Sequence, residues 1–171
     1  HSPAMYLGSC RYKLPTVSDD KDTYDLLFKK FNDLEITDFF YIGGNDSMDT
    51  VAKLAAYGET INSPIHFIGI PKTIDNDLMG TDHTPGFGSA AKYVASSMLE
   101  IAYDSSIYKL DAITIVEIMG RNAGWLTAAS ALARTECNDA PDLIYLPEVV
   151  FDKERFLKDI EEKFKEKSSI M

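Results

Sequence analysis

"DFFYIGGNDSMDTVAKLAAYGE", residues 38–59, decides the fold class, because a short apolar run, a Gly-Gly pair and a helix-spaced pattern follow one another without interruption. The run through Phe39, Phe40, Tyr41 and Ile42 has the length of a buried strand and ends in a glycine turn. Ser47 then stands where a helix N-cap is expected, Val51, Leu54 and Ala55 recur at helical intervals as an inward face, and Gly58 falls near the expected stop. Strand, turn and helix in this order form the repeating unit of a parallel sheet with crossover helices.

Working outward, the same alternation continues. Upstream, "TYDLLFKKFNDL" (23–34) sets Tyr24, Leu27, Phe28 and Phe31 at helical spacing. Downstream, "IHFIGI" (65–70) reads as a second strand, followed by the polar loop "PKTIDNDLMGTDHTPG" (71–86) and a helix from Phe87 to Tyr103. "DAITIVEIM" (111–119) predicts a third strand, "NAGWLTAASALAR" (122–134) a helix, and "DLIYLP" (142–147) a short strand. The charged amphipathic stretch "KERFLKDIEEKFKEK" (153–167) predicts a last helix, and "SSIM" (168–171) the opening of another strand. There is no internal repeat, low-complexity segment or Ser/Gly linker. A domain boundary is therefore expected as a continuous crossing within or after the helix near residues 88–104, dividing the chain into 1–90 and 91–171.

Composition narrows the function classes. The 171 residues are 45% hydrophobic and 26% charged, the balance of a soluble globular protein. A formal net charge of −10 argues against general attraction to nucleic-acid backbones or anionic membranes, which needs a basic surface. Any phosphate ligand must be held by local groups. Only Cys10 and Cys137 are present, with no CxxC pair, so neither a disulfide framework nor a structural zinc site is indicated and a reducing cytoplasm is expected. No apolar run approaches the ~20 residues that span a bilayer. The first letters lack a signal-peptide pattern and read as an internal cut.

Loops leaving the carboxyl ends of strands form the ligand crevice of open α/β sheets. Three such loops are expected to share one site: "GGNDS" (43–47), "PKTIDNDLMGTD" (71–82) and "MGRNAG" (119–124). In the first, Gly43 and Gly44 let backbone N–H groups approach a ligand, and Ser47 at a helix start suits phosphate. Asn45 and Asp46 suit a magnesium ion (Mg2+), a hard cation that takes one or two carboxylates together with phosphate oxygens. The same letters also serve as plain turn chemistry with an N-cap. In the second loop, Asp75 and Asp77 sit two apart beside Lys72 and Thr73, an arrangement in which one carboxylate acts as general base and the other as its orienter or a metal partner. A solvated acidic turn is the alternative. In the third, Arg121 can clamp a transferring phosphoryl group bidentately, although an arginine at a strand end also serves as a surface ion pair.

Other features take duller readings. "GFGSAA" (86–91) follows His-Thr-Pro rather than a strand and reads as a helix start, not a dinucleotide site. His66 reads as a core side chain, His83 as a weak ligand candidate on a loop, and Trp125 and "FFY" (39–41) as core. Residues 153–167 read as a solvated, mixed-charge helix face.

In order along the chain, "GGNDS", "PKTIDND" (71–77), "GTD" (80–82), "MGR" (119–121) and "LPEV" (146–149) resemble the phosphofructokinase family, enzymes that phosphorylate the 1-hydroxyl of fructose 6-phosphate. The resemblance runs from "LGSCR" (7–11) to "LPEVVF" (146–151) and the helix beyond. It implies a truncated three-layer Rossmann-like α/β fold, with residues 1–90 in the donor-binding domain and 91–171 opening the fructose 6-phosphate-binding domain. It also implies Asp75 as catalytic base, flanked by Thr73 and Asp77. Met119, Gly120 and Arg121 would form the segment that meets the sugar phosphate, Glu148 a carboxylate for sugar hydroxyls, and Arg11 a contact to the phosphoryl donor.

Members that use ATP carry glycine at the positions of Asp46 and Lys72, whereas members that use pyrophosphate carry Asp and Lys, as here. The resemblance therefore implies pyrophosphate as donor, with Mg2+ as cofactor and glycolysis as setting. Asn45 departs from the family's usual aspartate and removes one charge from the expected magnesium site. Family members are about twice this length, and their first glycine-rich loop and later His and Arg residues have no counterpart here, so the chain reads as a central fragment that is inactive alone and, when full length, a homo-oligomer. The competing expectations are an ATP-dependent phosphofructokinase and a non-catalytic regulatory subunit of the same family.

Overall fold

The computed structural model describes residues 12–108 and 110–171. The chain separates into two compact units that divide between Lys72 and Thr73.

The first unit is built from α1 (Lys21–Asp33), β1 (Asp38–Gly43), α2 (Asn45–Thr60) and β2 (His66–Pro71). Helix α1 starts where the Asp20 carboxylate accepts the Thr23 N–H at 3.1 Å, satisfying a donor that has no partner inside the helix. β1 and β2 pair in parallel from Asp38 opposite His66 to Gly43 opposite Pro71, with α2 as the crossover. The helices bury Leu14, Tyr24, Phe28, Leu54, Tyr57 and Ile65, and Phe31, Phe39 and Phe67 pack against that core. Phe28, Phe31, Phe39 and Phe67 form a chain of tilted and edge-on ring contacts with centroids 5.3–6.0 Å apart.

The strand alternation explains where the core readings fail. Successive side chains point to opposite faces of a strand, so Phe39 meets the helices while Phe40 and Ile42 are exposed, and Tyr41 is also exposed. His66 is likewise an exposed residue at the opening of β2. Its Nδ1 lies 3.1 Å from Oδ1 of Asp38, its register partner. Gly58 falls near the stop of α2, as expected, just before the helix ends at Thr60. It is buried in the last turns against the Phe28 and Phe67 rings, which a Cβ there would meet at ordinary contact distances of 3.4 and 3.5 Å.

The second unit contains α3 (Phe87–Ile107), β3 (Ala112–Ile113), α4 (Trp125–Ala129), a 3-10 turn over Ser130–Ala133, α5 (Lys153–Lys163) and β4 (Ser169–Ile170). β3 and β4 pair in parallel, which agrees with the strand expected at 168–171. The strand expected at 111–119 is reduced to two residues, because the ladder ends where the Thr114 N–H reaches Ile170 O at 2.9 Å. Residues 142–147 form no strand. The N–H groups of Asp142 and Leu143 converge on the single carbonyl of Met171 at 2.7 and 3.2 Å instead of joining a ladder. The helix expected over 122–134 is shorter and tightens into the 3-10 turn. Leu126 is buried, but Trp125, expected in the core, is 56% exposed at the first position of α4. Two small cores hold this unit: Phe87, Ala91, Leu126 and Ala129, and Met98, Ala102, Ala133 and Met171. α5 is capped by Asp152, whose Oδ1 accepts the N–H groups of Glu154 and Arg155 at 2.9 and 3.1 Å. Among the described residues no helix is long and apolar enough to cross a membrane.

Candidate active site

In the first unit the turn after β1 is stitched to the end of β2, since the Lys72 N–H donates to Gly43 O at 2.9 Å. Gly44, not Ser47, is the N-cap of α2, and no side chain caps the helix. The N–H groups of Ser47 and Met48 are both taken by Gly44 O at 3.0 Å, so Ser47 already lies in the first turn. Its hydroxyl turns back over Gly43, where a Cβ would stand 2.1 Å from Ser47 Oγ. Only glycine fits there. Asn45 and Asp46 occupy the first turn of α2 and are exposed, in the place where the helix dipole favours negative charge. A Cβ on Gly44 would be 3.9 Å from the Lys72 carbonyl. The residues at 44–46 and Lys72 therefore belong to one local surface.

In the second unit Thr73, Asp75 and Asp77 lie on a loop held by its own polar groups. Thr73 Oγ1 accepts the Asp75 N–H at 3.1 Å. Asn76 adopts the left-handed conformation with φ 58°, and its buried side chain donates to Asp82 O at 3.0 Å and accepts the Thr84 N–H at 2.9 Å. Thr84, also buried, donates its hydroxyl to Thr73 O at 2.6 Å. Within this frame Asp75 Oδ1 is buried and has no hydrogen-bond partner among the described residues, whereas Asp77 faces solvent. An unpaired buried carboxylate oxygen costs stability, and such strain is characteristic of groups held ready for a ligand or a proton. His83 stacks on Phe87 with ring centroids 6.0 Å apart and an angle of 12° between planes.

The loop at 119–124 belongs to the same unit. Gly120 takes φ 134°, and a Cβ there would lie 2.4 Å from Ala123 O, so the residue before Arg121 must be glycine. Met119 and Arg121 are exposed, and Arg121 makes no ion pair among the described residues. Glu148 reaches back to this loop, its Oε1 accepting the Gly124 N–H at 2.6 Å. Arg11 lies outside the described residues.

Sequence reading passed over Asn76, Thr84 and Gly124. An Asn between two aspartates in a glycine-containing loop is a signal for a left-handed turn, but the partners at 82 and 84 are visible only once the loop closes. The described residues hold no cluster of three or more His, Cys, Asp or Glu side chains able to bind a metal. Asp46 and Asn45 offer one carboxylate and one amide oxygen. That set suits a magnesium ion which keeps its waters and arrives with phosphate oxygens, rather than one caged by protein.

A sequence profile of the family described as phosphofructokinase matches residues 1–171. The chain is 44% identical over 165 residues to a pyrophosphate–fructose 6-phosphate 1-phosphotransferase of Methylococcus capsulatus, a match covering 95% of this chain and 39% of that protein. It is 35% identical over 154 residues to an ATP-dependent 6-phosphofructokinase of Hamiltonella defensa, covering 90% of this chain and 42% of the relative. The crystal structure of a pyrophosphate-dependent phosphofructokinase from Marinobacter aquaeolei superposes with a TM-score of 0.79 at 39% identity, over 96% of this chain and 41% of that one. The chain spans about two-fifths of the length of the curated relatives it matches.

Proposed function

The chain belongs to the phosphofructokinase family, and from that premise we propose that the full-length protein transfers a phosphoryl group from pyrophosphate to the 1-hydroxyl of fructose 6-phosphate, yielding fructose 1,6-bisphosphate. The observation that carries this reading is the buried Oδ1 of Asp75, without a hydrogen-bond partner among the described residues, on a loop fixed by its own hydrogen bonds.

Asp75 takes the proton from the sugar hydroxyl as the oxygen attacks the donor's terminal phosphorus. Thr73 and Asp77 flank it, and Arg121, free of any described ion pair, meets phosphate oxygens. Asp46, Lys72, Gly43, Gly44 and Ser47 serve the donor. Lys72 supplies a compact positive charge to pyrophosphate, and Asp46 repels the α-phosphate of a nucleotide. Asp46, with Asn45, would hold magnesium, which when bound offsets the donor's negative charge. The reading places residues 1–90 on the donor side and 91–171 on the sugar-phosphate side, with the protein acting in the cytoplasm in glycolysis as a homo-oligomer.

Two relationships support pyrophosphate over ATP: the Asp46 and Lys72 pair beside one glycine turn, and 44% identity to the Methylococcus protein against 35% to the Hamiltonella one. A non-catalytic regulatory subunit would have no chemical need for Asp75, Asp77 and Arg121 together. The deciding experiment assays the full-length protein with fructose 6-phosphate, magnesium and each donor in turn. Turnover with pyrophosphate and little with ATP is expected. Preference for ATP overturns the donor, and turnover with neither overturns the reaction.

A further inference from the structure

Among the described residues Asp75 Oδ1 has no hydrogen-bond partner, so the feature on the page that places it is the backbone that carries it. That backbone is held by a closed circuit of side-chain bonds in which Asn76 is the central member. Asn76 Nδ2 donates to Asp82 O and its Oδ1 accepts from Thr84 N–H. Thr84 Oγ1 returns to Thr73 O, and Thr73 Oγ1 accepts from Asp75 N–H. The circuit is anchored to α3, because the Phe87 N–H donates to Thr84 O at 3.1 Å and Thr73 bridges to Gly86.

Asn76 meets two demands at once. Its φ of 58° lies in a region that Asn tolerates far better than most side chains. Its amide must also supply one donor and one acceptor in a buried place, which glycine cannot do and aspartate does only by half. The left-handed residue between Asp75 and Asp77 turns the chain so that Asp75 goes in while Asp77 faces out.

We infer that Asn76, with Thr84 as its partner, is the positioning residue of the aspartate loop: it aims Asp75 at the acceptor hydroxyl without itself touching substrate. This rests on the reading of Asp75 as the general base. A group misplaced by about 1 Å can lose roughly a hundredfold in rate, and a positioning role that acts on the reacting atoms alone leaves substrate binding nearly intact.

The test uses Asn76→Gly, which keeps the left-handed backbone and removes the two circuit bonds that the Asn76 side chain makes, and Thr84→Val, which removes the bond to Thr73 O and leaves the Asn76 bonds in place. In the full-length protein Asn76→Gly is expected to lower kcat by about a hundredfold with the KM for fructose 6-phosphate changed by less than about threefold. Thr84→Val follows in the same direction with a smaller loss. Hydrogen exchange of the backbone amides at 73–84 is read on the same variants and is expected to quicken about tenfold or more. If the parent protein transfers phosphate from neither donor, the proposed reaction fails and this inference falls with it, whereas a parent active with either donor and an Asn76→Gly variant of unchanged kcat overturn the inference alone.

Discussion

The Glu148 carboxylate accepts the Gly124 N–H at 2.6 Å, joining the segment before α5 to the first residue of the turn that opens α4. The fit leaves no room for a side chain at 124, where a Cβ would lie 2.6 Å from Glu148 Oε2, 3.0 Å from Pro147 Cδ and 3.1 Å from Leu146 Cδ2. One oxygen of the carboxylate expected to meet sugar hydroxyls is thus already committed to the loop that carries Arg121.

Replacing Glu148 with Ala is expected to cost about 1 kcal/mol of stability in denaturant unfolding, the scale of one lost hydrogen bond. Glu148→Gln, which keeps an acceptor oxygen, should stay within about 0.5 kcal/mol of the parent. Gly124→Ala should cost at least as much as Glu148→Ala, because the side chains of Glu148, Pro147 and Leu146 stand in the way of the new methyl. Equal stability of all four proteins would show that the bond holds nothing in place.

Asp75→Asn in the full-length protein is expected to lower turnover by roughly two to four orders of magnitude, the contribution of a general base, with binding of fructose 6-phosphate by calorimetry largely kept. Because the buried Oδ1 lacks a partner among the described residues, removing the carboxylate's charge should leave the melting temperature unchanged or raised rather than lowered. Turnover reduced by less than about tenfold would remove Asp75 from the role of base.

The parts of the fold legible in the sequence are those where pattern and local chemistry agree. Residues 38–71 announce strand, turn, helix and strand, and β1, α2 and β2 fall there, because period-2 and period-3.6 spacing are enforced by burial on one face. What failed depended on partners distant in sequence. Residues 111–119 have strand composition, but a strand exists only where a neighbour supplies the ladder, and only Ala112 and Ile113 find one. Phe40 and Trp125 have core composition, yet the face each occupies is open. Ser47 suits an N-cap, but Gly44 begins the helix three residues earlier. Within the site, the aspartates were visible as a motif, while the circuit that orients them required the meeting of residues 73, 76, 82 and 84.

The 171-residue chain alone is expected to show no phosphotransferase activity, since it spans only about two-fifths of the relatives it matches. Assay of the purified chain beside the full-length protein checks this. Comparable turnover by the two would mean that the residues present here suffice for both substrates.

Donor choice gives the sharpest outcome, because it rests on two side chains beside one turn. Lys72 is tied by its N–H to Gly43 O, and Asp46 follows Gly44 by two residues. Two like charges about 4 Å apart repel by about 4 kcal/mol at an effective dielectric near 20, and by about 1 kcal/mol in bulk water. Asp46 is exposed, so its effect on a nucleotide's α-phosphate lies between these limits, from about fivefold upward in affinity. Lys72 acts in the opposite sense on pyrophosphate, and its loss alone should raise the KM for that donor. Asp46→Gly alone should admit ATP. The double variant Asp46→Gly with Lys72→Gly, made in the full-length protein, is expected to shift the ratio of kcat/KM values toward ATP by at least about tenfold, measured at saturating fructose 6-phosphate and magnesium. An unchanged ratio would mean that neither side chain sets the donor, and the ATP-dependent reading would then stand on equal footing.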